Sequence, residues 1–195
     1  EINGLAAPVL SCERTMLNML QHLSGIATLT RAFVRAVEGT GVQIVDTRKT
    51  TPGWRMLEKF AVRCGGGVNH RMHLGDMIMI KDNHIALSGS TLESLVQRAR
   101  NAQPRLQIAC EAETLEQVAV LRGLGVDVLM LDNMTTAQVR TAVQECGGRV
   151  CLEVTGGVNL ANVRAYAETG VQRISIGALT HSAPAVDIGL DIVAA

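Results

Sequence analysis

"VQIVDTRKTTPG", residues 42–53, runs from a short apolar stretch straight into an acid, two bases and three hydroxyl side chains. A brief apolar run bounded by turn residues reads as a buried strand, with the charged segment as its exit. The same transition recurs along the chain. Apolar runs follow at 77–80 (MIMI), 106–110 (LQIAC), 126–131 (VDVLML), 149–154 (RVCLEV) and 172–176 (QRISI). At or just past the six ends stand Asp46, Lys81, Glu111, Asp132, Glu153 and Ser175, separated by 35, 30, 21, 21 and 22 residues. Between most of the runs lie segments of helical period. Leu17, Leu20, Ile26, Leu29 and Phe33 predict a helix over 13–38, ended by Glu-Gly-Thr-Gly at 38–41. Ser90-x-x-Glu93 and Thr114-x-x-Gln117 read as capping boxes, Asn159 precedes another helix, and Gly125 and Gly170 close two more. Strand alternating with helix at this interval means a parallel sheet. No G-x-G-x-x-G follows the first strand, which favours a TIM-like α/β barrel over a dinucleotide-binding sheet. In a barrel all six strand ends converge on one mouth, and six polar residues there describe a constructed site.

Composition narrows the function. The chain has 195 residues, zero formal net charge and 47% hydrophobic residues, enough for one domain with a substantial core. Neutrality argues against a general nucleic-acid or membrane-surface binder. Aromatic residues make up only 2%, too few for a base-stacking platform. No stretch approaches the roughly 20 apolar residues of a membrane span. No signal-peptide pattern opens the sequence. The five cysteines are odd in number and form no C-x-x-C pair, so a reducing cytoplasm is the expected location.

The polar strand ends sort by charge. Arg48 and Lys49, with the hydroxyls of Thr47, Thr50 and Thr51, suit a carboxylate or phosphate; a solvated turn whose Pro52 opens the next helix is the competing reading. "RCGGGVNHRMHLGDMIMIKDNHI" (63–85) brings three consecutive glycines, then His70, Arg71 and Lys81. Its His70, His73 and His84 admit a metal site, although their spacing fits no helix face and their neighbours are cationic. Glu111, Asp132 and Glu153 end successive strands and suit acid–base work or Mg²⁺. Thr155-Gly156-Gly157, and Gly177 with His181 in "SIGALTHSA" (175–183), are glycine-rich turns after the last strands, where barrels commonly bind phosphate.

These residues resemble the quinolinate phosphoribosyltransferase family. "ERTMLNMLQHLSGIATLT", "DTRKTTPG", "RCGGGVNHRMHLGDMIMIKDNHI", "LDNM", "EVTGG" and "SIGALTH" come in family order along nearly the whole chain. The resemblance implies an enzyme that converts quinolinate and phosphoribosyl pyrophosphate to nicotinate mononucleotide, pyrophosphate and carbon dioxide, using Mg²⁺, in NAD synthesis. It implies an incomplete barrel of six to seven strands over 41–195, led by a linker tail and long helix over 1–40. The family's N-terminal sandwich domain is expected to be missing from this sequence. Quinolinate would be held by Arg48, His70 and Arg71, with Thr47, Lys49 and Lys81 beside them. Arg14 would reach into a neighbouring subunit's site, in a homodimer or higher homo-oligomer. Lys49, Lys81, Glu111 and Asp132 would carry the chemistry and bind phosphoribosyl pyrophosphate, with the two acids near the metal. Thr155, Gly156, Gly157, Gly177 and His181 would cradle the 5-phosphate. Two positions depart from the pattern: Thr155 where serine is frequent, and Ala109 where members often carry an acid.

Overall fold

Alternation of side chains along the strands sorts the protein into two interiors. The computed structural model describes residue 2 and residues 4–191. Its strands are β1 (Gln43–Val45), β2 (Met77–Ile80), β3 (Gln107–Ala112), β4 (Val128–Asp132), β5 (Cys151–Thr155) and β6 (Arg173–Ser175). All pair in parallel, in the order β1-β6-β5-β4-β3-β2, so the last strand lies against the first. Ile44, Ile80, Ile108, Cys110, Leu129, Leu131, Leu152, Val154 and Ile174 face outward into a helix-covered core. The intervening positions Met77, Ala109, Val128 and Met130 form a separate inner cluster, flanked by Met79 and Cys151. That period-two split is the signature of a barrel wall packed on both faces. Ala109 is one small member of this methionine-lined interior.

The ring is open between β1 and β2. Only Val68 bridges to Val45 there, its N–H donating to the Ile44 carbonyl (2.8 Å) and its carbonyl accepting from Asp46 N–H (3.1 Å). Six strands plus this single-residue bridge make the incomplete barrel expected from the sequence. The three glycines at 65–67 have their reason here. A Cβ at Gly65 would lie 2.5 Å from the Ala27 carbonyl, and one at Gly67 would lie 2.8 Å from Thr30 Cγ2, so this turn packs directly on the leading helix.

The helices are α1 (Ala6–Ala36), α2 (Arg55–Cys64), α3 (Asp82–Ser88), α4 (Leu92–Ala102), α5 (Leu115–Leu121), α6 (Thr136–Cys146), α7 (Val163–Ala167) and α8 (Ala178–His181). α1 begins seven residues before the predicted start. Pro8 sits in its first turn, where a missing N–H costs no hydrogen bond. Thr114 caps α5 in the expected box with Gln117. The Ser90 box is displaced by one residue: Thr91 caps α4, accepting from Ser94 N–H. Pro52 stands three residues ahead of α2, in the turn leading to it. Among the described residues no helix is long and apolar enough to cross a membrane.

Candidate active site

At the C-terminal ends of the strands opens a cavity of about 790 Å³. Thr47, Arg48 and Lys49 follow β1, His70 and Arg71 come from the segment in the gap, and Lys81 follows β2. Next around the ring stand Glu111 of β3 and Asp132 at the end of β4. Thr155, Gly156 and Gly157 leave β5, and Gly177 and His181 lie beyond β6. Met79, Met130 and Ser175 give the inner surface. Every site residue assigned through the family resemblance, except Arg14, therefore lines one cavity. Arg14 is on α1, its side chain 74% exposed, within 3.9 Å of Glu13.

Two consecutive buried charges on α2 set the cationic wall. Glu58 and Lys59 are both fully buried. Glu58 Oε2 accepts from Thr51 N–H (3.1 Å), and its Oε1 lies 2.8 Å from His22 Nε2. Lys59 Nζ donates to Asp46 Oδ1 (2.5 Å) and to the His70 carbonyl (2.9 Å). Asp46 also accepts from His70 N–H (2.8 Å) and from the Asn69 amide (2.6 Å). Burial pushes the Asp46 carboxyl up and the Lys59 ammonium down, and each is held partly in its charged form by the other. Asp46 is thus not a mouth residue. It falls on the outward parity of β1, beside Ile44, and meets α2; its role is to tie the 46–51 loop to the 69–71 loop. Thr180 adds a third tie, its hydroxyl donating to the Lys49 carbonyl (2.7 Å).

Within the wall, Arg71 spans the open seam: its guanidinium donates to the Met77 carbonyl on β2 (2.9 Å) and contacts Met79 Sδ (3.3 Å). Arg48 Nε is buried and has no protein partner. The His70 ring accepts from Arg71 N–H at Nδ1 (2.7 Å), and its Nε2 faces inward, away from solvent. Between the adjacent ends of β2 and β3, Lys81 Nζ pairs with Glu111 Oε1. Glu153, grouped by sequence with the acidic strand ends, lies beneath the cavity rather than on its wall and is fully buried.

The glycine turn after β5 is fitted to its neighbours. Gly156 has φ +84°, and a Cβ there would lie 2.3 Å from Asn133 Oδ1 and 2.9 Å from Asp132 Oδ1. Asn133 itself has φ +53°, the sole positive value at a non-glycine among the described residues. Its backbone N–H donates to the Thr155 carbonyl (2.9 Å). The β4 and β5 exits are therefore locked together around the acid Asp132.

The three-histidine metal reading is overturned. His73 pairs with Asp76 on the surface (2.9 Å), and His84 Nδ1 accepts from Lys81 N–H (3.0 Å), so the rings do not converge. Among the described residues no cluster of three or more His, Cys, Asp or Glu side chains suits a metal ion. Burial holds Cys110 up at about 12 and raises Cys151, so neither thiol is a nucleophile at neutral pH. Sequence reasoning missed Glu58, Lys59 and Asn133. Asn133 had a signal, standing directly after the last acid of an apolar run.

A family model described as the C-terminal domain of quinolinate phosphoribosyl transferase matches residues 26–191. The chain belongs to the quinolinate phosphoribosyltransferase family. It is 48% identical over 194 residues to the nicotinate-nucleotide pyrophosphorylase (carboxylating) of Mycobacterium leprae, covering 98% of this chain and 68% of that protein. It is 48% identical over 192 residues to the probable enzyme of the same name from Bacillus subtilis, covering 98% and 66%. The crystal structure of nicotinate-nucleotide pyrophosphorylase from Ehrlichia chaffeensis superposes with a TM-score of 0.93 at 48% identity, covering 96% of this chain and 68% of that one. The chain thus spans about two thirds of the length of these relatives. In family terms, the barrel described above is the part that matches.

Proposed function

We propose that this chain supplies the catalytic barrel of a quinolinate phosphoribosyltransferase, joining quinolinate to phosphoribosyl pyrophosphate and releasing pyrophosphate and carbon dioxide to give nicotinate mononucleotide. The observation that carries this reading is the unpartnered, buried Arg48 Nε in a cavity that also holds Arg71 and Lys49. A buried guanidinium N–H left without an acceptor is a binding site for an anion, and a planar fork suits a carboxylate. The glycine turns at 155–157 and 177 suit a phosphate, so one cavity offers complementary ends for both substrates.

In this reading Arg48 and Arg71, with Thr47 and His70 beside them, orient the pyridine dicarboxylate so that its ring nitrogen meets C1 of the ribose, an effect of positioning. The N–C1 bond forms as the C1–oxygen bond to pyrophosphate breaks. Lys49 and Lys81 neutralise the departing oxygens, while Glu111 and Asp132 face the positive charge that develops on the ribose. The nitrogen is then cationic. Loss of the 2-carboxylate as carbon dioxide leaves its electron pair at C2 beside that cation, and a proton from solvent takes its place. No protein nucleophile is needed.

Glu111 and Asp132 are hard oxygen donors on adjacent strands, and two carboxylates completed by substrate phosphates are a usual Mg²⁺ arrangement. Mg²⁺ held there would supply charge neutralisation for the pyrophosphate. Arg14, exposed and outside its own cavity, suits contact with a second copy of the chain in a homodimer or larger assembly. A cytoplasmic location fits the unpaired cysteines.

The test is release of labelled carbon dioxide from carboxyl-labelled quinolinate. We expect release only when phosphoribosyl pyrophosphate and Mg²⁺ are both supplied. Release without phosphoribosyl pyrophosphate, or none with it while quinolinate fails to bind, refutes the reading.

A further inference from the structure

Beneath the cationic wall, three polar atoms are buried without a hydrogen-bond partner: both carboxyl oxygens of Glu153 and Nε2 of His70. They belong together. His70 Nε2 lies 3.5 Å from Glu153 Oε1, with the two side chains 6% and 0% exposed. The other ring nitrogen accepts from Arg71 N–H, so the hydrogen of the neutral imidazole sits on Nε2, toward the carboxyl. An orphaned buried carboxyl costs stability, and its position directly behind two ligand-facing residues gives it a use.

We propose that Glu153 is a positioning residue for the carboxylate-binding wall: it fixes the ring of His70 in the tautomer that anchors the Arg71 backbone, and the proton that this pair carries sets the charge behind that wall. The proposal rests on the reading of the wall as the quinolinate site. It adds a titrating group that touches no substrate.

The surroundings give the direction. Facing Glu153 are His70 from the gap segment, Arg173 and Ser175 from β6, Met130 from β4 and Cys151 two positions back on its own strand. Burial pushes Glu153 up to about 7, offset in part by Ser175, whose hydroxyl lies nearby but donates to the Val154 carbonyl (3.4 Å), and by the Arg173 guanidinium. Burial and the cations Lys59, Arg71, Arg173 and Lys81 push His70 down to about 4. Between those values both groups are neutral, and the contact is a neutral pair rather than a salt bridge. Above about pH 7 the pair loses one proton. The proton leaves the Glu153 carboxyl, the pair passes from neutral to a net negative charge behind the wall, and a dianionic ligand binds less well.

Two measurements test this. In the ligand-free protein with ¹⁵N-labelled histidine, the His70 ring should show the Nε2-protonated tautomer. Its shifts should move with a midpoint near pH 7, and the Glu153→Gln variant should lose that transition. Quinolinate titrated calorimetrically should then bind about tenfold more weakly near pH 8.5 than near pH 6, with a flat profile in Glu153→Gln. An Nδ1-protonated ring, or no transition near pH 7, overturns the proposal from the wild-type protein alone, whether or not the variant folds. Identical pH profiles in both proteins also overturn it. Quinolinate that fails to bind at any pH refutes the proposed function instead, and the histidine spectra still decide the pair.

Discussion

At Gly156 the backbone is left-handed and the space a methyl group would need is already taken by Asn133 and Asp132. Gly156→Ala should therefore cost roughly 1–3 kcal/mol of stability and at least about tenfold in affinity for phosphoribosyl pyrophosphate. A urea titration and a calorimetric binding curve on the same variant would show both, and wild-type affinity would refute a close-fitting turn. Glu153 predicts a stability trend as well. Its folded pKa is raised, so the stability it confers is complete below the ordinary value of 4.5 and is lost as pH rises through about 7. His70 is depressed, so its contribution is present above 6.5 and is lost as pH falls toward about 4. Glu153→Gln should then exceed wild type by on the order of 2–3 kcal/mol at pH 9, with the gap closing at low pH; thermal melts across pH would reveal it. At this scale the position of each strand end was legible, and strand parity explains which face each of the six polar residues takes. Lys81, Glu111 and Asp132 share the parity of the inward positions and reach the mouth. Asp46 is out of phase with Val45 and Thr47, which predicts its turn toward α2. The depth of Glu153 was not legible, because parity shows which face a side chain takes but not how far below the rim it lies.

α2 acts as a clamp: Glu58 holds the 46–51 loop, and Lys59 holds that loop and the 69–71 loop together. Removing a partner from a fully buried pair leaves the other uncompensated, so Lys59→Ala should destabilise by about 3–5 kcal/mol. It should also weaken quinolinate binding more than phosphoribosyl pyrophosphate binding, because the His70 carbonyl loses its donor and Asp46, which holds the His70 N–H, loses its cation. Equal loss of both affinities would show that the lysine serves the fold alone. The Thr114 cap gives a control remote from the cavity: Thr114→Ala should cost about 1 kcal/mol and change neither affinity. The strands and the end of α1 were read from pattern to within two residues, since apolar period and glycine stops are local signals, while the start of α1 lay seven residues earlier. The clamp was hidden because "RMLEKFAVRC" presents Glu58 and Lys59 as an ordinary solvated pair. Only the tertiary approach of the 46–51 and 69–71 loops makes them interior.

Over the whole molecule, the parallel barrel was legible from the recurrence of strand, polar end and helix. Which strands meet was not, because the β6–β1 pairing joins residues about 130 positions apart and leaves no local trace. The same pairing decides where the ring stays open. Between β1 and β2 a one-residue bridge and the Arg71 side chain do the work that a hydrogen-bonded ladder does elsewhere. A wall joined by a side chain can breathe where a ladder cannot. Amide hydrogen exchange along Met77–Ile80 should accordingly outpace that of β4, which is paired on both sides. Arg71→Ala should speed it further. Quinolinate engaging that guanidinium should alter β2 protection while leaving β4 unchanged. The arginine proposed to meet quinolinate is then also the latch of the barrel, and occupancy of the cavity becomes readable as the rate at which one strand edge exchanges its protons with water.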